Sequence, residues 1–163
     1  MRHVKHPFAP IIDKHCRVLI LGSVPSIKSV ENEFYYMHPQ NRFWKLMSYL
    51  LDEDFVSADI KTRATLLLKH NIALYDSVEE CDIEGSSDSK IKNVIPSDIP
   101  SFLAAANITH IFCNGTASYN YLTKFYPEYK SITTQLPSTS PANAKYTIPM
   151  LADEWKVIMS YII

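Results

Sequence analysis

"CRVLILGS", residues 16–23, decides the fold. Val18 to Leu21 follow one another without a polar residue between them, and the run closes on Gly22. A strand with one face in water alternates apolar and polar side chains. An unbroken aliphatic run of this length instead fits a strand covered on both faces, as in a parallel sheet. The same signature recurs in "IALYDSV" (72–78) and "THIFCNG" (109–115), and more weakly in "SITTQL" (131–136).

Helical spacing fills the intervals. "NRFWKLMSYLL" (41–51) sets Phe43, Leu46, Met47 and Leu50 on one face. Ser57 is placed to cap a second helix with Ile60, Ala64, Leu67 and Leu68 as its apolar stripe. After strand 72–78, "EGSSDSKI" reads as a polar loop. Ser97 or Asp98 opens the next helix, with Pro100 near its start, Phe102, Leu103 and Ala106 inward and Asn107 at its end. "TASYNYLTKF" follows the third strand, and a last helix over about 152 to 162 buries Trp155, Ile158, Met159 and Ile162. Strands alternating with helices predict an α/β fold: a three-layer sandwich around a central four-stranded parallel sheet. Residues 1–163 are expected to form one domain. Ligands of such sheets sit at the carboxyl ends of the strands, here "GSVPS", "YDSV", "CNG" and "LPSTSPANA".

Composition narrows the function. Hydrophobic residues make up 47% of the chain, which predicts a stable core. No apolar run reaches the length of a membrane span, and the N-terminus lacks the apolar core of a signal peptide, so the expected compartment is the cytoplasm. The net charge of −1 excludes a global basic field for nucleic acid, while leaving room for a local one. The acidic groups Asp52–Asp54 and Glu79, Glu80, Asp82 and Glu84 read as solvated loops. Cys16, Cys81 and Cys113 are too few and too scattered for a disulfide framework or a thiolate metal site. With three glycines there is no dinucleotide loop, "GSVPSIKS" lacks the second glycine of a P-loop, and no nucleophile elbow singles out Ser23 or Ser26. His3, His6, His15 and Cys16 read as surface or satisfied side chains rather than metal ligands. No metal or organic cofactor is expected.

What remains is the turn "GSVPS" (22–26), the segment "YYMHPQNRFW" (35–44) and the loop "LPSTSPANA" (136–144). Together, in this order, they resemble the signature regions of the uracil-DNA glycosylase superfamily. The branch they resemble most is the hypoxanthine-DNA (DNA-deoxyinosine) glycosylases, and "HPQNRFWK" is also similar to the mismatch-specific uracil/thymine glycosylases. The resemblance implies a monofunctional enzyme that flips a deaminated base out of DNA and hydrolyses its N-glycosidic bond. Deaminated DNA is then the partner, water the nucleophile, and a monomer suffices. The alternatives are a uracil- or mismatch-specific glycosylase, or a binding module of the same fold without turnover.

By the same resemblance Tyr36 occupies the place of the ring that stacks on the flipped base, a contact worth about 1–3 kcal/mol. The competing role for Tyr35 and Tyr36 is filling the sheet-to-helix junction. Most branches carry Asp or Asn two residues after the glycine of the first motif, whereas this chain has Val24, which cannot hold water. Asn41 matches the amide important in the hypoxanthine branch, and it also stands where a helix cap belongs. His38 is a candidate for contact with base or phosphate, or for fixing the turn before Pro39. Arg42 is a candidate for phosphate or a solvated side chain. Gly22, Ser23, Val24, Pro25 and Ser26 frame the substrate site, with the backbone N–H groups of Ser23, Val24 and Ser26 facing the negative base or a phosphate. Pro137, Ser138, Thr139 and Ser140 correspond to the DNA-entering loop, although Leu136 replaces the polar residue found in uracil-removing relatives. Asp76 and Asn114, at strand ends, are candidates for reading the base edge. Asp88 resembles a family segment of unassigned role.

Overall fold

The computed structural model describes residues 2–84 and 91–163, so the position of Asp88 lies outside the described residues. The aliphatic run becomes β2 (Val18–Gly22), buried at every residue. It lies between β3 (Ile72–Asp76) and β6 (His110–Asn114), and β7 (Thr133–Leu136) pairs with β6. All three pairings are parallel, giving the order β3-β2-β6-β7 with helices flanking the sheet. Because the strands run the same way, Gly22, Asp76, Asn114 and Leu136 end on one edge of the sheet, with Gly22 opposite Asp76 and Asn114 opposite Leu136.

The helices are α1 (Ile27–Asn32), α2 (Phe43–Leu51), α3 (Ile60–Lys69), α4 (Ile99–Ala105), α5 (Thr116–Phe125) and α6 (Ile148–Trp155). The α2 face that packs on the core includes Phe43, Trp44, Leu46 and Met47, all buried. Among the described residues no helix is long and apolar enough to cross a membrane.

Several boundaries differ from the sequence reading. Asp59, not Ser57, caps α3: its carboxylate accepts from Thr62 N at 2.8 Å, while Ser57 bonds Asp54. A carboxylate near a helix N-terminus also meets the positive end of the dipole, which favours Asp there. Helix α4 is capped by Asp98 and stops at Ala105, short of Asn107. Thr147 caps α6 with Pro149 in its first turn, so that helix begins earlier than 152 and passes into a 3-10 turn, Lys156–Ser160. The tighter winding leaves Met159 37% exposed while Trp155, Ile158 and Ile162 stay buried.

The larger difference is a second sheet. Residues 78–83, read in part as a solvated acidic loop, form β4 (Val78–Ile83), which pairs antiparallel with β1 (Arg2–Lys5) and with β5 (Ile91–Pro96). Val78, Cys81 and Ile83 of β4 join Val4 in a small apolar cluster. Of the acids between them, Asp82 and Glu80 are bonded across the sheet by His3, at 2.7 and 2.8 Å, and Glu79 accepts from the Tyr75 hydroxyl at 3.0 Å.

Candidate functional site

The shared carboxyl edge of the central sheet opens into a cleft of about 730 Å³. Residues 22–26, Tyr36, Asn41, Asp76, Asn114 and Pro137–Ser140 all line it. His38 does not: it faces a smaller depression next to Trp44 and Arg63, where its Nδ1 accepts from Gln40 N at 3.1 Å. The structure thus places His38 as a brace of the turn. Ile83 of the second sheet, with Arg2 and Lys145, contributes to the cleft wall, and none of these three stood out in the sequence.

One hydrogen-bonded chain joins the three motifs. Asn114 receives Thr139 N on its Oδ1 at 3.0 Å and donates from Nδ2 to Thr139 Oγ1 at 3.0 Å. The Thr139 hydroxyl has accepted, so its proton points onward to Asn41 Oδ1, at 2.8 Å. Asn41 Oδ1 also accepts from Phe43 N at 2.9 Å. A carbonyl oxygen has two lone pairs, and both are used. The amide cannot flip without setting N–H against N–H, so its Nδ2 is fixed as the group left over, and no described residue accepts from it. Asn41 is therefore both a helix-start bond and a donor held toward the cleft.

The loop is gripped by Arg42. Its backbone N–H and its Nε both donate to Thr139 O, at 3.1 and 3.3 Å. Nη2 donates to Ser140 O at 2.8 Å and Asn143 O at 3.1 Å, and Nη1 donates to Tyr146 O. Four of the five guanidinium N–H groups thus go to carbonyls of residues 139–146, which commits Arg42 to holding the loop rather than a phosphate. A planar fork with five donors suits this task in a way an ammonium does not. Gly115, at φ 96°, lets the β6 end approach the loop, since a Cβ there would lie 3.1 Å from Ser138 Cβ.

Tyr36 sits in the left-handed backbone region, φ 55°. Its ring stacks on Phe43, with centroids 4.2 Å apart and planes 24° apart. Its hydroxyl is buried without a hydrogen-bond partner of proper geometry among the described residues. Burial pushes its pKa far up, the nearby Asp76 pushes it further, and the Asn114 side chain only partly offsets this. Tyr35 is core, its hydroxyl donating to Ala9 O at 2.8 Å.

Gly22 explains how these groups come so close. A Cβ at this position would collide with Asp76 Oδ1 and stand 2.9 Å from the Tyr36 hydroxyl oxygen. Asp76 itself is 3% exposed. Its Oδ2 is 2.7 Å from Nε2 of His6, and His6 Nδ1 is 2.9 Å from Phe8 O. Val24, where the superfamily resemblance led us to look for Asp or Asn, packs on the apolar cluster of the second sheet. Ser26 caps the short helix α1 through Ser29 N at 3.1 Å, so its hydroxyl is engaged as an acceptor.

The chain is similar to known proteins over most of its length. The family profile described as "Uracil DNA glycosylase superfamily" matches residues 9–158. A protein named hypoxanthine DNA glycosylase from Methanosarcina barkeri is 35% identical over 121 residues, covering 72% of this chain and 75% of its own length. Another of that name, from Methanosarcina acetivorans, is 28% identical over 162 residues, covering 97% of this chain and 99% of its own. The solution NMR structure of a candidate uracil DNA glycosylase from M. acetivorans superposes with a TM-score of 0.79 at 28% identity, covering 95% of this chain and 96% of that one.

Proposed function

The chain belongs to the uracil DNA glycosylase superfamily and is a DNA glycosylase that hydrolyses N-glycosyl bonds, and from that premise we propose that its substrate is hypoxanthine in DNA containing deoxyinosine. The names of the two Methanosarcina relatives support this substrate. The observation that carries the chemistry is the locked amide of Asn41, with both lone pairs of its oxygen occupied and its Nδ2 left as a donor.

In this reading the deaminated nucleotide leaves the stack and enters the cleft. The Tyr36 ring, backed by Phe43, offers it a face. As the glycosidic bond lengthens, the sugar turns positive and the departing base negative. A prearranged donor aimed at that negative charge lowers the barrier more than it favours the ground state. Asn41 cannot take a proton from water, since its oxygen has no lone pair to spare. Its part is to donate, to the base or to the oxygen of the attacking water. Val24 has nothing to add to that step, so the work falls to Asn41. Ser138 and Ser140, with Pro137 stiffening the loop and Thr139 anchoring it, face the DNA backbone. The unit acts as a monomer of one domain, without metal or organic cofactor.

The test uses duplex and single-stranded oligonucleotides carrying one inosine, uracil or xanthine, incubated with excess protein and then cleaved with alkali at abasic sites. Cleavage fastest at inosine is the expected result. Faster release of uracil would reassign the substrate, and no abasic sites on any strand would leave only a binding module.

A further inference from the structure

Within the substrate reading above, we propose that His6 acts through Asp76 as a positioning residue that makes the cleft floor a reader of ring N–H groups, the feature that deamination of adenine or cytosine creates. His6 Nδ1 faces Phe8 O at 2.9 Å, and a carbonyl only accepts, so Nδ1 carries a hydrogen. His6 Nε2 and Asp76 Oδ2 stand 2.7 Å apart, and two bare lone pairs do not settle at that distance. One proton therefore lies between them, whichever atom holds it more tightly. In both cases Asp76 Oδ1 carries none.

The surroundings keep that arrangement. The His6 side chain is 0% exposed and that of Asp76 5%. Phe8 and Tyr75 enclose the imidazole, with ring centroids at 4.6 and 4.2 Å. Ser97 Oγ donates to the Asp76 main-chain carbonyl at 2.6 Å, which leaves the carboxylate out of that contact. No described residue donates to Oδ1, which stands against Gly22, and both residues line the cleft.

Such an atom sorts bases by one property. Hypoxanthine and xanthine present N1–H, and uracil N3–H, where adenine and cytosine present a ring nitrogen with a lone pair. The first group donates to Oδ1. The second sets lone pair against lone pair and leaves a buried acceptor unpaired, a mismatch that sites built for hydrogen bonds reject strongly. Deamination of adenine or cytosine turns the second kind of edge into the first; guanine and thymine already carry the ring N–H, so this oxygen does not sort against them. The Tyr36 hydroxyl beside the same glycine is a second polar group without a hydrogen-bond partner among the described residues, which fits a pocket completed by a polar ligand.

Binding isolates this role from the bond-breaking step. Duplexes with a 2′-fluoro sugar, which resists cleavage, carry hypoxanthine or purine (nebularine), which lacks both N1–H and O6. The wild type is expected to prefer the hypoxanthine duplex by about tenfold or more, the scale of one buried hydrogen bond. In His6→Phe the carboxyl loses the partner that pins its proton, and that preference should collapse to about twofold. His6→Gln, whose amide donates to Oδ2, should retain it. A His6→Phe protein that melts like the wild type and keeps the full preference overturns the inference. If His6→Phe fails to fold, Asp76→Leu carries the same expectation. A wild type that excises no deaminated base in the alkali assay overturns the substrate reading and this inference with it. A wild type active on inosine whose His6→Phe and Asp76→Leu variants still discriminate overturns this inference alone.

Discussion

At the scale of single residues, Asn41 and Gly22 separate chemistry from stability. Asn41→Asp keeps an oxygen for Phe43 N and Thr139 but deletes the donor. Excision should fall by about 10²-fold or more, as when an oxyanion donor is removed, while the melting temperature moves little. Equal losses in rate and stability would return Asn41 to a capping role. Gly22→Ala forces Asp76 or Tyr36 aside. Overpacking of this kind costs about 1–3 kcal/mol, read by chemical denaturation, and single-turnover rates should fall further than that loss alone explains. The candidate residues at 22–26, 76, 114 and 137–140 were legible because they stand at or just beyond strand ends, whereas those at 36–41, between α1 and α2, stood out only through the family resemblance. The pairing of Asn114 with Thr139 was not, since the partners are 25 positions apart and their geometry exists only once β6 and the loop meet. Nor was the His6–Asp76 pair legible. A histidine near the terminus reads as solvated until its strand brings it inside.

Among the elements, loop 137–146 is held to the start of α2 by Arg42, with Asn41 adding a single bond to Thr139. Arg42→Ala removes every guanidinium bond to residues 139–146 and should destabilise the fold by about 2–4 kcal/mol, given that bonds to charged groups are worth about 1.5–3 each and water replaces some. Arg42→Lys should recover only part of this, because an ammonium cannot span carbonyls on both sides of a plane. Thermal melting ranks the variants. If Lys equals Arg, charge rather than the fork holds the loop. The sheet strands and α2 were legible from period and composition alone. Strand β4 was not, for a physical reason: "VEECDI" mixes acids with the residues it buries, and two of its acids, Glu80 and Asp82, are satisfied by His3, 77 and 79 positions away. Acid-rich stretches read as loops when the groups that neutralise them come from a distant strand.

For the molecule as a whole, acid is the condition to which stability responds. Burial lowers the pKa of His110 below its ordinary 6.5. The unfolded chain then takes up that proton first as pH falls, so the contribution of His110 is complete above about 6.5 and declines below it. Glu53, beside Lys69 and His70, and Asp59, bonded to Thr62, lie below the ordinary carboxylate range. Their contributions stand above pH about 4 and are lost as pH falls through their lowered values. His3 runs the other way: Asp82 and Glu80 raise its pKa, and what it adds is lost as pH rises past that value. Its ring is exposed, so salt screens this effect. Melting temperature should therefore decline from pH 6.5 downward, and His110→Asn should flatten the upper part of that decline. Two buried thiols offer a second whole-molecule readout. Burial raises Cys16 to about 11 and Cys113 to about 12, so alkylation at neutral pH should track unfolding rather than native exposure.

Arg42 holds loop 137–146 by main-chain oxygens of Thr139, Ser140, Asn143 and Tyr146. Main-chain oxygens are the same whatever side chain is attached. Thr139, the Asn143 amide on Ser138 O, and the Ser138 and Ser140 hydroxyls, which accept from Ser140 N and Ala142 N, complete the placement, whereas Ala142 and Lys145 are released from that duty. Natural drift or a randomised library at 142 and 145 would change what meets the DNA while the loop's position stays fixed. A new preference for strand type or flanking sequence is most readily reached there.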